Sequence, residues 1–116
     1  MAFYNKGEGQ IEVWDMGKLS QGRKFSCSSE VLALSFTTDN KFLVSSHKGG
    51  KLHIWSIVDD ELYKSYDLNG EEMIWHSFTP DNQFMVSIFS NKREANVWNN
   101  YLGRIMSSRR EETLLF

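Results

Sequence analysis

The sequence of 116 residues contains one cysteine, Cys27, and one proline, Pro80. A single cysteine cannot close an internal disulfide, so nothing in the chain calls for an oxidising compartment. No apolar run has the length of a membrane-spanning helix, about 20 residues, or of the apolar core of a secretory signal. We therefore expect a cytoplasmic protein that does not enter a membrane.

An excess of charge of one sign is also missing, because 13 basic and 15 acidic residues give a formal charge of −2. Binding to nucleic acid depends largely on clustered Lys and Arg that neutralise phosphates. The best candidate cluster is Arg104, Arg109 and Arg110, which is followed at once by Glu111 and Glu112. A solvated tail is the better interpretation, and we expect no nucleic-acid partner.

The residue patterns of catalytic and metal sites are not found either. His47 and His53 are six residues apart and His76 stands alone, so the spacing of zinc ligands does not occur. The acidic run at residues 59–61 lies in a predicted loop, where solvated charge is preferred over a general acid–base pair. Cys27 has no neighbouring His that could activate it. We expect no enzymatic activity, no metal ion and no cofactor.

What the sequence does contain is an internal repeat. Residues 36–46, FTTDNKFLVSS, return 42 positions later as residues 78–88, FTPDNQFMVSI, with seven of the eleven positions identical. A period of this length indicates repeated supersecondary units. A single unit of this kind cannot bury its apolar face alone, so neighbouring units have to stack.

A tryptophan closes a short alternating segment in every unit. Trp14, Trp55 and Trp98 are separated by 41 and 43 residues, and an apolar residue precedes each of them directly. Alternation of apolar and polar residues between Gly and Asn predicts half-buried strands. The turn residues between them predict short connections at residues 39–40, 49–50, 69–70, 81–82 and 99–100.

The repeat and its closing tryptophans resemble the WD-repeat family, whose units of about 40 residues fold into four-stranded blades of a β-propeller. Residues 35–40 and 77–82 match the family's Phe-Ser-Pro-Asp-Gly signature, and Trp14 with Asp15 matches its Trp-Asp ending to the letter. The resemblance covers roughly residues 5–106. It implies an all-β chain that acts as a scaffold for protein complexes.

The polar network that is typical of this family is only partly present. Its turn-Asp position holds Glu8, Gly49 and Lys92, and no His occupies the family's Gly-His position. Only Ser45, Ser87 and the tryptophans remain. We therefore expect blades that are held mainly by the packing of eight Phe, four Trp and four Tyr. The residues expected to carry this packing are Trp14, Trp55, Trp98, Phe36, Phe78, Phe42 and Phe84.

The expected architecture is an all-β, WD-repeat-like β-propeller segment of about two and a half to three four-stranded antiparallel blades. Residues 1–25 would supply the later strands of a partial blade, and residues 26–66 and 68–106 would form two blades. Residues 107–116 would be a tail or the first strand of a shared blade. Family propellers close with about seven blades, so the ends of this arc would leave strand edges unpaired. The chain is then a piece of a longer protein, or it completes the ring with copies of itself or another propeller protein.

The function that the resemblance implies is non-catalytic protein–protein interaction, in a homo-oligomer or a larger complex. Binding at one rim would use Lys48, Lys92 and Arg93, which lie in predicted turns. Two other interpretations stay open. One is a ligand-reading, lectin-like propeller in which Trp75 stacks on a sugar or a base, and the other is a sensory or regulatory fragment of a larger multidomain enzyme.

Overall fold

The computed structural model describes the backbone of residues 2–14, 22–91, 94–101 and 104–115, and the side chains of these residues except 94 and 99–115. This part of the chain consists of eleven β-strands and the turns that join them. Within it, no helix is long and apolar enough to cross a membrane. The all-β prediction is confirmed.

The strands form three antiparallel sheets, which we call the first, second and third sheet in chain order. The first sheet contains β1 (Ala2–Asn5), β2 (Gln10–Val13) and β3 (Arg23–Ser26). The second contains β4 (Val31–Phe36), β5 (Phe42–His47), β6 (Lys51–Ser56) and β7 (Glu61–Asp67). The third contains β8 (Met73–Phe78), β9 (Phe84–Phe89), β10 (Glu94–Tyr101) and β11 (Arg104–Leu115).

The repeated Phe-Thr-x-Asp-Asn segment forms the turn between the first two strands of a blade. Asn40 adopts a φ of 60°, a left-handed conformation that Asn tolerates well. The hydroxyl of Thr37 donates to Oδ1 of Asp39 at 2.6 Å and accepts from the amide of the residue that starts β5. Thr79 and Asp81 repeat the hydroxyl–carboxylate bond at 2.6 Å. Identical residues thus build identical turns 42 positions apart.

Each strand alternates its side chains between two faces, and the sheets stack through these faces. We call the face toward the next sheet in the chain the forward face, and the opposite one the backward face. One core cluster joins the forward face of the first sheet to the backward face of the second; its buried members are Ile11, Val13, Phe25, Leu43 and Trp55. A second cluster joins the second and third sheets in the same way; its buried members are Val44, Leu52, Ile54, Met73, Met85, Phe89 and Trp98.

The pairing of β11 differs from what we expected for the end of the chain. Residues 107–116 were expected to be a tail or to open a shared blade, but Arg104–Leu115 runs antiparallel to β10 as the fourth strand of the third sheet. Ala95 lies opposite Leu114 in this ladder, and two register shifts accommodate its length. The segment that follows β10 in the chain pairs with the open edge of β10, because sequential antiparallel strands need only a short connection.

Candidate protein interface

A chain of buried hydrogen bonds crosses the second sheet. The indole Nε1 of Trp55 donates to Oγ of Ser45 at 2.8 Å, and this hydroxyl lies 2.7 Å from Nε2 of His47. The His47 Nδ1 lies 3.2 Å from the carbonyl oxygen of Ser29, which can only accept. Nδ1 of His47 therefore carries the ring proton, and Nε2 accepts from Ser45. Each polar side-chain group of Trp55, Ser45 and His47 thus has a hydrogen-bond partner.

This series of hydrogen bonds adds a histidine to the polar network, of which we expected only Ser45, Ser87 and the tryptophans. His47 comes from β5 itself, two residues beyond Ser45 and on the same face, instead of from the family's usual position. Burial lowers the pKa of His47, and the neighbouring His53 adds to this effect. The rings of His47 and His53 lie 4.4 Å apart. A neutral His47 is the form that can accept from Ser45.

Of these hydrogen bonds, only the one from the tryptophan to the serine has an equivalent in the third sheet. Nε1 of Trp98 donates to Oγ of Ser87 at 2.7 Å, in the same way as Trp55 to Ser45. The position equivalent to His47 holds Phe89, whose ring centroid lies 6.3 Å from that of Trp98. In this blade aromatic packing takes the place of the imidazole.

Polar links also tie the second sheet to the third. Oγ of Ser46 donates to the carbonyl oxygen of Met73 at 2.7 Å, and both groups are buried. At the rim, Thr38 makes two bonds to the turn of the next blade: its amide donates to Oδ1 of Asn82 at 2.8 Å, and its hydroxyl donates to the carbonyl oxygen of Thr79 at 2.7 Å. These contacts join the two blades both in the core and at the rim.

His76 makes a further link between the two sheets. Nδ1 of His76 lies 2.5 Å from Oγ of Ser35, across the junction of β4 and β8. Burial lowers the pKa of His76 to about 4, so the ring is neutral at physiological pH. Since Ser35 and His76 are neither adjacent nor equivalent in the repeat, no pattern in the sequence could have paired them.

The forward face of the third sheet is left uncovered by the described residues. Strand register places Trp75, Ile88 and Ala95 in one row, and Ser77, Val86 and Val97 in the next. We call these six residues the open apolar face, although Ala95 within it is fully buried and Ser77, Val86, Ile88 and Val97 are half-buried. The indole of Trp75 is 46% exposed, and Ile74 beside it is 47% exposed.

The matching face of the second sheet shows what this surface lacks. Val44, Leu52 and Ile54 are buried there under the third sheet. Their repeat equivalents are Val86, Ala95 and Val97; both valines are half-exposed, whereas Ala95 is fully buried. The difference arises because one face has a neighbouring sheet and the other has none in the described chain.

The predicted rim cluster is only partly described. Lys48 is exposed in the turn between β5 and β6. Lys92 and Arg93 lie outside the described residues, so their grouping with Lys48 stays a prediction. Beside Lys48, the amide of Gly49 donates to Oε2 of Glu72 at 2.8 Å, which joins this turn to the loop before β8. Trp75 lies on the open apolar face.

The predicted structural aromatics divide into two groups. Trp55 and Trp98 are buried, and each donates its indole N–H to a serine. The others are half-buried: Trp14, Phe36, Phe42, Phe78 and Phe84. Phe36, Phe42 and Phe78 still pack against the two core clusters. In the described part of the chain, no group of three His, Cys, Asp or Glu side chains could hold a metal ion.

Solved structures of other proteins share this architecture. No protein-family model matches the sequence, and no curated protein matches it. The solved structure of U3-55K superimposes with a TM-score of 0.71 and 19% identity over 94% of this chain. The crystal structure of the RRP9 WD40 repeats gives 0.70 and 19% over the same share. The fold is that of WD40 propeller blades.

The chain spans about a third of both structures, 34% of the first and 33% of the second. The resemblance to WD repeats that the sequence suggested is thereby confirmed at the level of the fold. Within that fold, the three sheets correspond to consecutive blades, and Trp55 and Trp98 stand on the third strand of theirs. The open apolar face is the side on which a WD40 propeller places its next blade.

Proposed function

We propose that this chain is a non-catalytic protein–protein interaction module, and that its binding surface is the open apolar face of the third sheet. The observation that carries the proposal is the equivalence between this face and the covered face of the second sheet. Trp75, Val86, Ile88 and Val97 are partly exposed on it. Contiguous apolar patches rimmed by polar residues mark protein interaction sites on soluble proteins.

The partner that we propose is a protein surface of β-sheet type, supplied by a second copy of the chain or by other propeller blades. The second and third sheets of this chain already pack face to face, through apolar side chains and a few buried hydrogen bonds. A cytoplasmic location, the absence of a nucleic-acid partner and the absence of enzymatic activity belong to the same proposal. Its support is the near-balanced charge and the single cysteine of the chain.

Site-specific photo-crosslinking tests this function. Benzoylphenylalanine replaces Val86 in the centre of the open apolar face, and the crosslinked proteins are identified by mass spectrometry. The control carries the same group at Val58, which is 70% exposed in the turn between β6 and β7. We expect defined protein adducts at position 86 that are not obtained at position 58. Position 86 giving no adduct, or the same adducts as position 58, would refute the proposal.

A further inference from the structure

We propose that Tyr63 is a phosphorylation site, modified by a protein tyrosine kinase whose substrate groove is lined by Lys and Arg. The inference goes beyond the proposed function and concerns a different part of the molecule, the outer strand β7 of the second sheet. Three features of the described residues carry it: the exposure of this tyrosine, the free edge of its strand, and the acidic run that precedes it.

Exposure separates Tyr63 from the other tyrosines whose side chains are described. Its side chain is 42% exposed, and its ring lies against Phe42 with 5.1 Å between the centroids. Tyr4 and Tyr66 are half-buried, and each packs against a core cluster. A kinase has to bring the phenolic oxygen into its own cleft. An exposed ring at the margin of the core is therefore a better substrate than a ring packed into it.

The strand that carries Tyr63 is already extended and has a free edge. β7 is the last strand of the second sheet, and among the described strands it pairs with β6 alone. Residues 61–65 are all exposed. A register shift opposite Ile54 and Trp55 makes Tyr63 the extra residue of a β-bulge, and such a residue is left unpaired in the ladder. Proteins that read extended peptides bind an edge of this kind by adding a strand to it, so the sheet does not have to unfold first.

The acidic run supplies charge for recognition. Asp59, Asp60 and Glu61 are exposed and lie four, three and two residues before Tyr63. Asp60 pairs with Arg23 of the first sheet at 3.2 Å, but both side chains are exposed to solvent, so this ion pair is weak. Clustered Lys and Arg beside a kinase cleft complement such a run. This complementarity raises the rate of encounter and selects the residue that enters the cleft.

Tyr66 on the same strand provides an internal comparison. The three residues before it, Tyr63, Lys64 and Ser65, include a cation and no carboxylate. The ammonium of Lys64 lies over the ring of Tyr66, 5.9 Å from its centroid. Lys64 would repel a basic groove that bound the residues before Tyr66, and the Tyr66 ring packs against the core. The two tyrosines thus share a strand and differ in the properties that the kinase needs.

The proposed reaction is a phosphoryl transfer from Mg²⁺-bound ATP. The phenolic oxygen of Tyr63 forms a bond to the γ-phosphorus, the bond from this phosphorus to the β–γ bridging oxygen breaks, and ADP leaves. The phenolic proton passes to the catalytic aspartate of the kinase. The product places a charge of about −1.5 to −2 beside the acidic run. The modified strand then matches clusters of arginine, which bind phosphate through paired hydrogen bonds.

The experiment treats the full chain with a purified tyrosine kinase that prefers acidic residues before its target, together with Mg²⁺ and ATP. The intact mass gives the number of phosphoryl groups, and peptide fragmentation locates them. We expect one group, at Tyr63, on the wild type and on Tyr66→Phe, and none above background on Tyr63→Phe. Near-UV circular dichroism verifies that all three chains are folded. Modification of another tyrosine in place of Tyr63, or no modification of the wild type, would overturn the proposal.

A second pair of variants tests the acidic run. Asp60→Asn/Glu61→Gln removes two carboxylates before Tyr63, and the control Glu8→Gln/Glu30→Gln removes the same charge outside β7. We expect kcat/KM for phosphorylation to fall about tenfold in the first variant and to keep the wild-type value in the control. Equal values for the two variants would contradict recognition by a basic groove and overturn the proposal.

This inference and the proposed function can fail separately, because they concern different surfaces. A chain that is phosphorylated at Tyr63 and gives no adduct at position 86 refutes the interaction module alone. A chain that gives adducts at position 86 and is not phosphorylated at Tyr63 refutes this inference alone.

Discussion

The indole of Trp55 and the hydroxyl of Ser45 form a buried hydrogen bond of 2.8 Å between the third and second strands of one blade. Trp55 is 5% exposed, and its ring stacks on Phe25 of the first sheet at 4.8 Å between centroids. One side chain thus joins two strands through its N–H group and two sheets through its ring. The closing tryptophan of the WD-type repeat is therefore a connection between blades as well as within one.

Replacing Trp55 should cost far more stability than replacing Trp75. Trp55→Ala removes a buried ring, its stacking on Phe25 and its hydrogen bond, so we expect the free energy of unfolding to fall by about 3–5 kcal/mol. Trp75→Ala truncates an exposed ring and should cost less than about 1 kcal/mol at low protein concentration. Urea unfolding followed by circular dichroism measures both. Similar losses at the two positions would contradict the assignment of the blade faces.

Ser45 and Ser87 occupy equivalent positions but should not be equally important. Ser45→Ala leaves the buried N–H of Trp55 and Nε2 of His47 without their partner, whereas Ser87→Ala affects the bond to Trp98. An unsatisfied buried polar group costs about 1–3 kcal/mol. We expect the larger loss for Ser45→Ala in chemical denaturation.

The same position offers a double-mutant cycle. His47→Phe introduces the residue that the third sheet has at Phe89. Combined with Ser45→Ala, it should cost less than the sum of the two single changes, because the hydroxyl and the imidazole satisfy each other. Strict additivity would mean that the hydrogen-bond chain does not act as a unit.

The stability of the chain should fall as the pH is lowered from about 6.5 toward 4. Burial lowers the pKa of His76 to about 4 from its ordinary 6.5, so the unfolded chain binds a proton in this range that the folded chain does not. The stabilisation is therefore present above pH 6.5 and is lost as the pH falls. A difference of this size corresponds to about 3 kcal/mol. Burial also lowers the pKa values of His47 and His53, which act in the same direction.

The variant His76→Leu tests the origin of this slope. The equivalent position of the second sheet is Leu34, so the substitution is one that the blade already accommodates elsewhere. Denaturation midpoints between pH 4 and 7 should depend less on pH in the variant than in the wild type. An unchanged slope would assign the effect to the other two histidines.

Gly50 and Gly49 form a matched pair of substitutions. Both have a positive φ, 88° and 92°, which strains any residue with a Cβ. A Cβ at Gly50 would also stand 2.7 Å from backbone atoms of Gly70, whereas a Cβ at Gly49 would meet no atom within 4 Å. Gly49→Ala should cost about 1 kcal/mol, and Gly50→Ala clearly more, because backbone atoms cannot yield as a flexible side chain does. Thermal unfolding of the two variants gives the comparison.

The repeat predicted the blades because it combines two local features that the fold needs at fixed places. The turn residues Asp39 and Asn40 and the closing Trp55 recur with the period of the structure, so the strands between them could be assigned. The extent of the blades was harder to predict. The pairing of β11 with β10 depends on which strand edge is free, and a short apolar run such as residues 114–116 suits an inner and an outer strand equally well.

The candidate site was predicted less well than the fold, for a physical reason. Trp75 was named as a residue that could stack on a sugar or a base, but the face around it becomes visible only when strand register brings Val86, Ile88 and Val97 beside it. The hydrogen bond between Ser45 and His47 could have been predicted, because residues two apart in a strand lie on the same face. The hydrogen bond between Ser35 and His76 could not, because it depends on how two sheets stack.

The backbones of Gly50 and Gly70 lie in close contact between the second and third sheets, with no side chain between them. The amide of Leu68 donates to the carbonyl oxygen of Gly50 at 2.7 Å in the same place. Glycine usually adds conformational freedom to a chain. Here its lack of a side chain allows two segments of main chain to pack in close contact. The turn that carries Lys48 is therefore joined through main-chain contacts to the segment that leads into β8, which begins two residues before Trp75.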